Sequence, residues 1–356
     1  MIKLLIVDDS ALMRRQLAQL FQAAGGFEIR QARNGVEAVA ENRGFQPDVV
    51  TLDINMPEMD GITALSLIMA ERPVPVIMVS SLTEKGALAT FEALNLGAVD
   101  YVAKPGGTIS LSLDMVKADL LAKVRAAAQS RPAKYRSAGL GSTRPSRISP
   151  DLLAPKTLPS RSGPASDGVL LIGVSTGGPR ALEQVLPQLP ADFPWPVLVA
   201  QHMPASFTAP FASRLNACCE LEVVEAASPM PVQAGRVYIG KGGADMLLTR
   251  RANTLTVLPK PEDSSQLWHP SVELLGRSAL QHCAPRHLVA VMLTGMGYDG
   301  ADAFTEIKRQ GGKTIAEAES TAVVFGMPAE LIERGGASLV LPLDKIAAQV
   351  KAWAQR

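Results

Sequence analysis

The chain twice alternates short β-branched runs with helical stretches, on either side of one segment that does neither. In residues 1–128 the runs are IKLLIV, FEIRQA, VVTLD, PVIMVS and VDYVA, with helical spacing near 10–23, 34–43, 61–71, 84–95 and 113–128. In the first of these helices Leu12, Met13, Leu17, Leu20 and Phe21 share a face. A strand that returns parallel to its predecessor needs a crossover, usually a helix, so this pattern predicts a parallel sheet covered on both faces. Residues 168–356 repeat it with VLLIGV, PVLVA, RVYIG, HLVAVML, KTIAEA and ASLVL. MLLTRRANTLTVL interrupts the second half with two alternating runs around Arg-Ala-Asn, the signature of a β-hairpin. Residues 129–167 are rich in Pro, Gly, Ser and Arg and have no sustained period, which predicts a flexible linker. The fold class is therefore α/β, in two domains, 1–128 and 168–356.

With 35 basic and 34 acidic side chains the net charge is +1, which argues against a broad nucleic-acid footprint. Three cysteines without a repeated Cys/His spacing give neither a disulfide framework nor a zinc site and read as buried, inert thiols. MIKLLIVDDS is too short and too acidic for a signal peptide, and no stretch is long enough to span a bilayer. No direct membrane insertion and a cytoplasmic location are expected.

Sites in open parallel sheets form beyond the carboxyl ends of the strands. In the first half those ends carry Asp8-Asp9-Ser10, Asp53, Ser80-Ser81 and Lys104-Pro105. Clustered carboxylates repel unless a cation sits among them, and oxygen ligands suit a hard cation such as Mg²⁺. A lysine and a hydroxyl opposite Asp53 suit a charged tetrahedral group on that carboxylate. Taken singly, Asp9 or Ser10 would serve as a helix cap and Lys104 as a surface ion pair.

LLIVDDS, VVTLDINMPEMDG, PVIMVSS and DYVAKP resemble the successive motifs of two-component receiver domains, over nearly all of 1–125. The resemblance implies a flavodoxin-like (βα)5 domain in which Asp53 accepts phosphate from a histidine kinase. It implies that Asp8, Asp9, Asp53 and the carbonyl of Asn55 hold Mg²⁺, and that Ser80 and Lys104 contact the phosphoryl oxygens. Tyr101 becomes the aromatic that moves inward on phosphorylation, and the bond before Pro105 is commonly cis in such domains.

In the second half GVSTGG follows an apolar strand and precedes the helical pattern PRALEQVLPQL. The stretch fits G-x-S-x-G, a nucleophile turn, although a serine there also serves as an ordinary cap. Gly177 and Gly178 allow a tight turn that leaves N–H groups at the helix start for an anion, either an oxyanion or a phosphate. A serine nucleophile needs a base. Of the four histidines, His202 ends the next strand on the edge of Ser175, His287 lies on the opposite edge, His282 is near a helix end and His269 is in a loop. Asp299, in LTGMGYDG, ends a third strand on the same edge and could orient His202, cap the helix ADAFTEIKRQ, or do both. RQGGKT ends like a phosphate-binding loop but has Ile307 where the pattern needs Gly, and it follows a helix.

GVSTGG, QHMP, LTGMGYDG and VVFGMP resemble the successive motifs of the CheB family of chemotaxis protein-glutamate methylesterases/glutaminases, in the same receiver–linker–esterase order. The resemblance implies a doubly wound, mostly parallel α/β esterase domain with Ser175 as nucleophile, His202 as base and Asp299 as its orienter. It implies that the N–H of Thr176 and the loop at Met296 bind the oxyanion and that no cofactor is needed. The substrate implied is the glutamate γ-methyl ester on chemoreceptor cytoplasmic helices, with deamidation of glutamines in some members. Two segments depart from the family: YIGKGGADM carries Gly242 and Asp245 where Pro and His are frequent, and IAEAES differs from a common Gln-Asp-Glu run. The competing reading is a response regulator with a non-enzymatic output that binds a nucleotide or a protein at GVSTGG.

Overall fold

The computed structural model describes residues 1–80, 83–104, 113–129, 168–252 and 254–355. The chain divides into two compact units. The expected linker, from residue 130 on, and the bond before Pro105 lie outside the described residues, as does Ser81.

The first unit is a five-stranded parallel sheet, ordered β2-β1-β3-β4-β5, of β1 (Ile2–Val7), β2 (Phe27–Ala32), β3 (Val49–Asp53), β4 (Val76–Ser80) and β5 (Asp100–Ala103). Helices α1 (Ala11–Ala24), α2 (Gly35–Gly44), α3 (Gly61–Glu71), α4 (Glu84–Leu96) and α5 (Leu113–Gln129) connect or follow the strands. β3 and β4 are buried along their whole length, as expected of central strands covered on two faces. Spacing placed Leu12 on the buried face of α1; the structure buries Leu17 and Phe21 and leaves Leu12 66% exposed, because the apolar stripe leaves the core at the helix's first turn.

The second unit has a seven-stranded sheet in the order β15-β14-β13-β6-β7-β10-β8, with every adjacent pair parallel. Its strands are β6 (Val169–Val174), β7 (Val197–Gln201), β8 (Glu222–Ala226), β10 (Arg236–Gly240), β13 (Leu288–Met292), β14 (Lys313–Glu317) and β15 (Leu339–Leu341). The predicted hairpin is present as β11 (Ala244–Arg251) and β12 (Thr254–Pro261), and β9 (Met230–Pro231) adds a third antiparallel strand. β8 and β9 were not predicted. β8 is an edge strand with only Val223 and Ala226 buried, so its apolar signal is weak.

Helices α6 (Gly178–Val185), α7 (Ala205–Cys218), α8 (Val272–His282), α9 (Ala301–Arg309), α10 (Met327–Glu333) and α11 (Leu343–Ala354) belong to this unit. Leu171, Ala290 and Met292 from the sheet pack with Val272, Leu275 and Ala279 of α8 and Phe304 and Ile307 of α9 in one core. The strand order reverses between β6 and β13, so the loops after β13, β6 and β7 meet at a topological switch point, where open α/β sheets place their sites. The thiols are not uniformly buried: Cys219 is buried, Cys283 half-buried and Cys218 exposed on the last turn of α7, where the chain leaves the core.

Candidate active site

Three neighbouring strands deliver three side chains to one edge. β6 and β7 pair through Gly173–Ala200 and Val174–Gln201, so Ser175 and His202 lie abreast one position beyond the last pair. The His202 N–H continues the ladder to the Val174 carbonyl at 3.1 Å, and the Ser175 N–H donates to Thr294, just after β13, at 3.0 Å. Asp299 follows in that third loop. The local sequence explains the turn after Ser175. Gly177 has φ +78°, a conformation side chains rarely adopt, and a Cβ on it would meet Val323 at 2.6 Å. Gly177 and Pro179 then start α6 without a side-chain cap. Ser175 is therefore not the cap of this helix: its carbonyl accepts the Gly178 N–H at 2.8 Å, and the cap position is held by Gly177.

Asp299 is 4% exposed and carries four hydrogen bonds. Oδ2 accepts His202 Nε2 at 2.8 Å and the Val272 N–H at 2.7 Å. Oδ1 accepts the Glu273 N–H at 2.9 Å and the Ser271 hydroxyl at 3.0 Å. Sequence reading offered Asp299 as a cap for α9. That helix is preceded by Gly300 and has no side-chain cap; Asp299 instead receives the N-terminal N–H groups of α8, a helix 27 residues upstream in sequence. Burial pushes the Asp299 carboxyl up, but the His202 hydrogen bond and charge, with the N–H groups of Glu273 and Val272, outweigh it and hold the group below the ordinary carboxylate range. An ionised carboxylate only accepts, so Nε2 carries the imidazole hydrogen and Nδ1 presents its lone pair. Nδ1 is buried and has no hydrogen-bond partner among the described residues. The ring thus faces Asp299 through Nε2, the reverse of the chymotrypsin-type arrangement, in which Nδ1 faces the carboxylate.

The site has an aromatic wall that sequence reading did not identify. Trp268 lies parallel to His202, at 8° with ring centroids 5.9 Å apart, and meets Tyr298 edge-on at 5.1 Å. Gly297 makes the wall possible, since its φ is +85° and a Cβ there would stand 2.6 Å from the Trp268 ring. Tyr298 is 50% and Leu267 62% exposed, so the ring that meets Trp268 and the residue before Trp268 present apolar surface to solvent. Among the described residues neither the Thr176 nor the Met296 N–H has an acceptor, so both remain open to an anion. The Thr176 carbonyl accepts the Thr294 hydroxyl at 2.8 Å, and the Thr294 N–H donates to buried Glu317 at 2.8 Å, which fixes the loops after β6 and β13 to each other. The remaining histidines are elsewhere: His269 pairs with Asp245, and His282 and His287 lie at the far end of α8 and just before β13.

The first unit gathers its expected residues too. Carboxylate oxygens of Asp8, Asp9 and Asp53 lie within 4.8 Å of one another, a donor set that fits a hard divalent cation. Lys104 Nζ donates to Asp53 Oδ2 at 2.7 Å and stands 3.0 Å from Asp8 Oδ2, the latter an ion pair without hydrogen-bond alignment. Burial pushes Asp53 up; Lys104 pulls against this, Asp8 adds to it, and the net shift is upward. Ser80 is buried at the end of β4 with its hydroxyl 3.3 Å from the Gly86 carbonyl, and Asn55 is exposed just after β3. Ser10 does cap α1, accepting the Met13 N–H at 3.3 Å, while Asp9 is in the cluster. The Tyr101 ring is buried, 4% exposed, with Lys123 Nζ over it at 5.5 Å.

Known proteins resemble each half of the chain. Residues 4–113 match the response regulator receiver domain and residues 170–350 match CheB methylesterase. The chain is 55% identical, over all of its own length and 97% of the relative's, to a protein-glutamate methylesterase/protein-glutamine glutaminase of Rhodospirillum rubrum. It is 49% identical to one of Carboxydothermus hydrogenoformans, over 98% of each chain. The crystal structure of the Thermotoga maritima CheB methylesterase catalytic domain matches with TM-score 0.50 and 39% identity, over 52% of this chain and 97% of that one. The chain belongs to the CheB family, with a receiver domain ahead of a methylesterase domain.

Proposed function

We propose that the protein is a phosphorylation-activated hydrolase that cleaves glutamate γ-methyl esters on chemoreceptors and deamidates receptor glutamines, with Ser175, His202 and Asp299 as its catalytic residues. The observation that carries the catalytic assignment is the hydrogen bond from His202 Nε2 to buried Asp299, which leaves Nδ1 as a base beside the strand end that bears Ser175. A phosphate cradle at GVSTGG would need the N–H groups but neither this imidazole nor this carboxylate.

In the reaction His202 Nδ1 takes the hydroxyl proton of Ser175 as Oγ attacks the ester carbonyl. Asp299 stabilises the resulting imidazolium without taking its proton. The N–H groups of Thr176, after β6, and Met296, after β13, receive the oxyanion; neither has another acceptor among the described residues. His202 returns the proton to the departing methoxy oxygen and methanol leaves. Water, deprotonated by the same nitrogen, then cleaves the acyl-serine and regenerates Ser175. An amide follows the same path with ammonia as the leaving group.

In the receiver, Asp53 is the phosphoryl acceptor from a histidine kinase, and Lys104 and Ser80 contact the phosphoryl oxygens. Asp8, Asp9 and Asp53, with the carbonyl of Asn55, would hold Mg²⁺, which offsets charge on those oxygens. The new phosphate charge beside Lys104 is the local switch, and Tyr101 is the aromatic that responds to it. Residues 1–128 and 168–356 are the domains, and residues 129–167 join them. No nucleic acid is a partner. Among the described residues no helix is long and apolar enough to cross a membrane, which fits a cytoplasmic enzyme.

Methanol release from methylated receptors tests the reading. Wild type should release methanol faster with a small phosphodonor and Mg²⁺ than without, Asp53→Ala should lose that increment, and Ser175→Ala should release none. Release by Ser175→Ala at the wild-type rate would refute the catalytic assignment.

A further inference from the structure

Behind the aromatic wall lies a second carboxylate–imidazole pair that the hydrolytic steps do not use. Asp245, the second residue of β11, is 1% exposed. Its Oδ1 accepts His269 Nδ1 at 2.9 Å and the Ser271 N–H at 2.8 Å, and its Oδ2 accepts the Asp263 N–H at 2.9 Å. A single carboxylate therefore closes residues 263–271 at both ends. A buried carboxylate is costly unless donors surround it, so its burial and the shape of this loop stabilise each other.

What the loop carries gives the pair its meaning. Trp268 is the ring that lies against His202. The Ser271 hydroxyl donates to Asp299 Oδ1, and Ser271 Oγ in turn accepts the Leu274 N–H at 3.2 Å as the cap of α8, whose first two N–H groups, of Val272 and Glu273, also reach Asp299. Both routes from Asp245 thus end on the histidine and carboxylate assigned to catalysis, one through the Trp268 ring and one through Ser271.

We propose that Asp245 is a positioning residue of the esterase: by closing the 263–271 loop it fixes Trp268 against His202 and Ser271 against Asp299. The inference rests on the catalytic roles given above. Asp245 is buried and so meets no substrate; its loss falls on kcat. Displacing a reacting group by a fraction of an ångström is enough to slow the chemical step substantially.

The test uses the full chain and methanol release from methylated receptors, with kcat and KM measured for wild type, Asp245→Asn, Ser271→Ala, their double variant, and Ser175→Ala as control. Asn cannot accept three donors as the carboxylate does, so Asp245→Asn should lower kcat by roughly tenfold with KM within about twofold. In the Ser271→Ala background the same substitution should cost less than about threefold, because one route is already cut. His269→Ala should lose part of kcat, and His269→Asn, whose amide can replace Nδ1 as donor, should restore most of it; this pair carries the test if Asp245→Asn fails to fold by circular dichroism. Wild-type kcat for Asp245→Asn, an equal cost in both backgrounds, or no rescue by His269→Asn would overturn the proposal. A Ser175→Ala control that still released methanol would instead overturn the catalytic reading on which it rests.

Discussion

Asp299→Asn separates the role of the carboxylate charge from that of its shape. Each oxygen of Asp299 accepts two hydrogen bonds, His202 Nε2 and Val272 N–H on one and Ser271 Oγ and Glu273 N–H on the other. Asparagine replaces one acceptor with a donor, so one pair must lose its partner. If the amide NH₂ faces His202, the imidazole turns its hydrogen to Nδ1 and can no longer take the Ser175 proton; in a dissected serine triad the corresponding change lowers kcat by about 10⁴. If the NH₂ takes the place of Oδ1 instead, the Ser271 hydroxyl can rotate to accept but the Glu273 N–H is left buried and unpaired, as the Val272 N–H is in the first orientation, at about 1–3 kcal/mol of stability. Even then the imidazolium has lost a charged partner, a hydrogen bond worth roughly 1.5–3 kcal/mol, or about 10- to 150-fold in rate. The expected result is therefore a kcat at least about tenfold below wild type in methanol release, with unfolding in urea shifted by about 1–3 kcal/mol. Asp299→Asn with unchanged kcat would refute the reasoning, since no orientation of the amide satisfies all four donors.

Other expectations follow from the same contacts. Phe304 of α9 is fully buried in the esterase core, so Phe304→Ala should cost about 3–5 kcal/mol in urea unfolding. Mg²⁺ at ten times its dissociation constant should stabilise the receiver by about 1.4 kcal/mol, read as a rise in melting temperature that Asp8→Asn diminishes. The folded-state pKa of Asp299 lies below its unfolded value, so its contribution is present above about pH 4 and is lost as acid is added through the folded value. Wild type should accordingly lose more stability on acidification below about pH 4 than Asp299→Asn does, measured by urea unfolding at each pH.

Much of this was legible in the sequence because strand ends are legible. VLLIGV, PVLVA and HLVAVML are dense apolar runs, so their carboxyl ends, and with them Ser175, His202 and Asp299, could be placed on one edge before any coordinates. The carboxylates of the first half were found by the same argument from IKLLIV and VVTLD. What could not be read was anything that depends on how a loop folds back. Asp299 receives α8 because the 263–271 loop returns across the sheet edge, and nothing in its spacing to Ser271 says so. Trp268 appeared as one aromatic in an irregular stretch, and its contact with His202 depends on Gly297 lying opposite it. A tryptophan three residues before the helix-capping Ser271, with glycines in LTGMGYDG, was the available signal. Leu12 and Cys218 were misjudged for a related reason: a residue at the first or last turn of a helix can hold the right angular position and still project past the core.

The most direct test of the central claim is covalent labelling of the nucleophile. A serine-directed fluorophosphonate, followed by intact mass and peptide mapping, should place one adduct on Ser175 in wild type, a far slower one in His202→Ala, and none in Ser175→Ala, in parallel with methanol release. An adduct elsewhere, or equal labelling with and without His202, would contradict a serine activated by this imidazole.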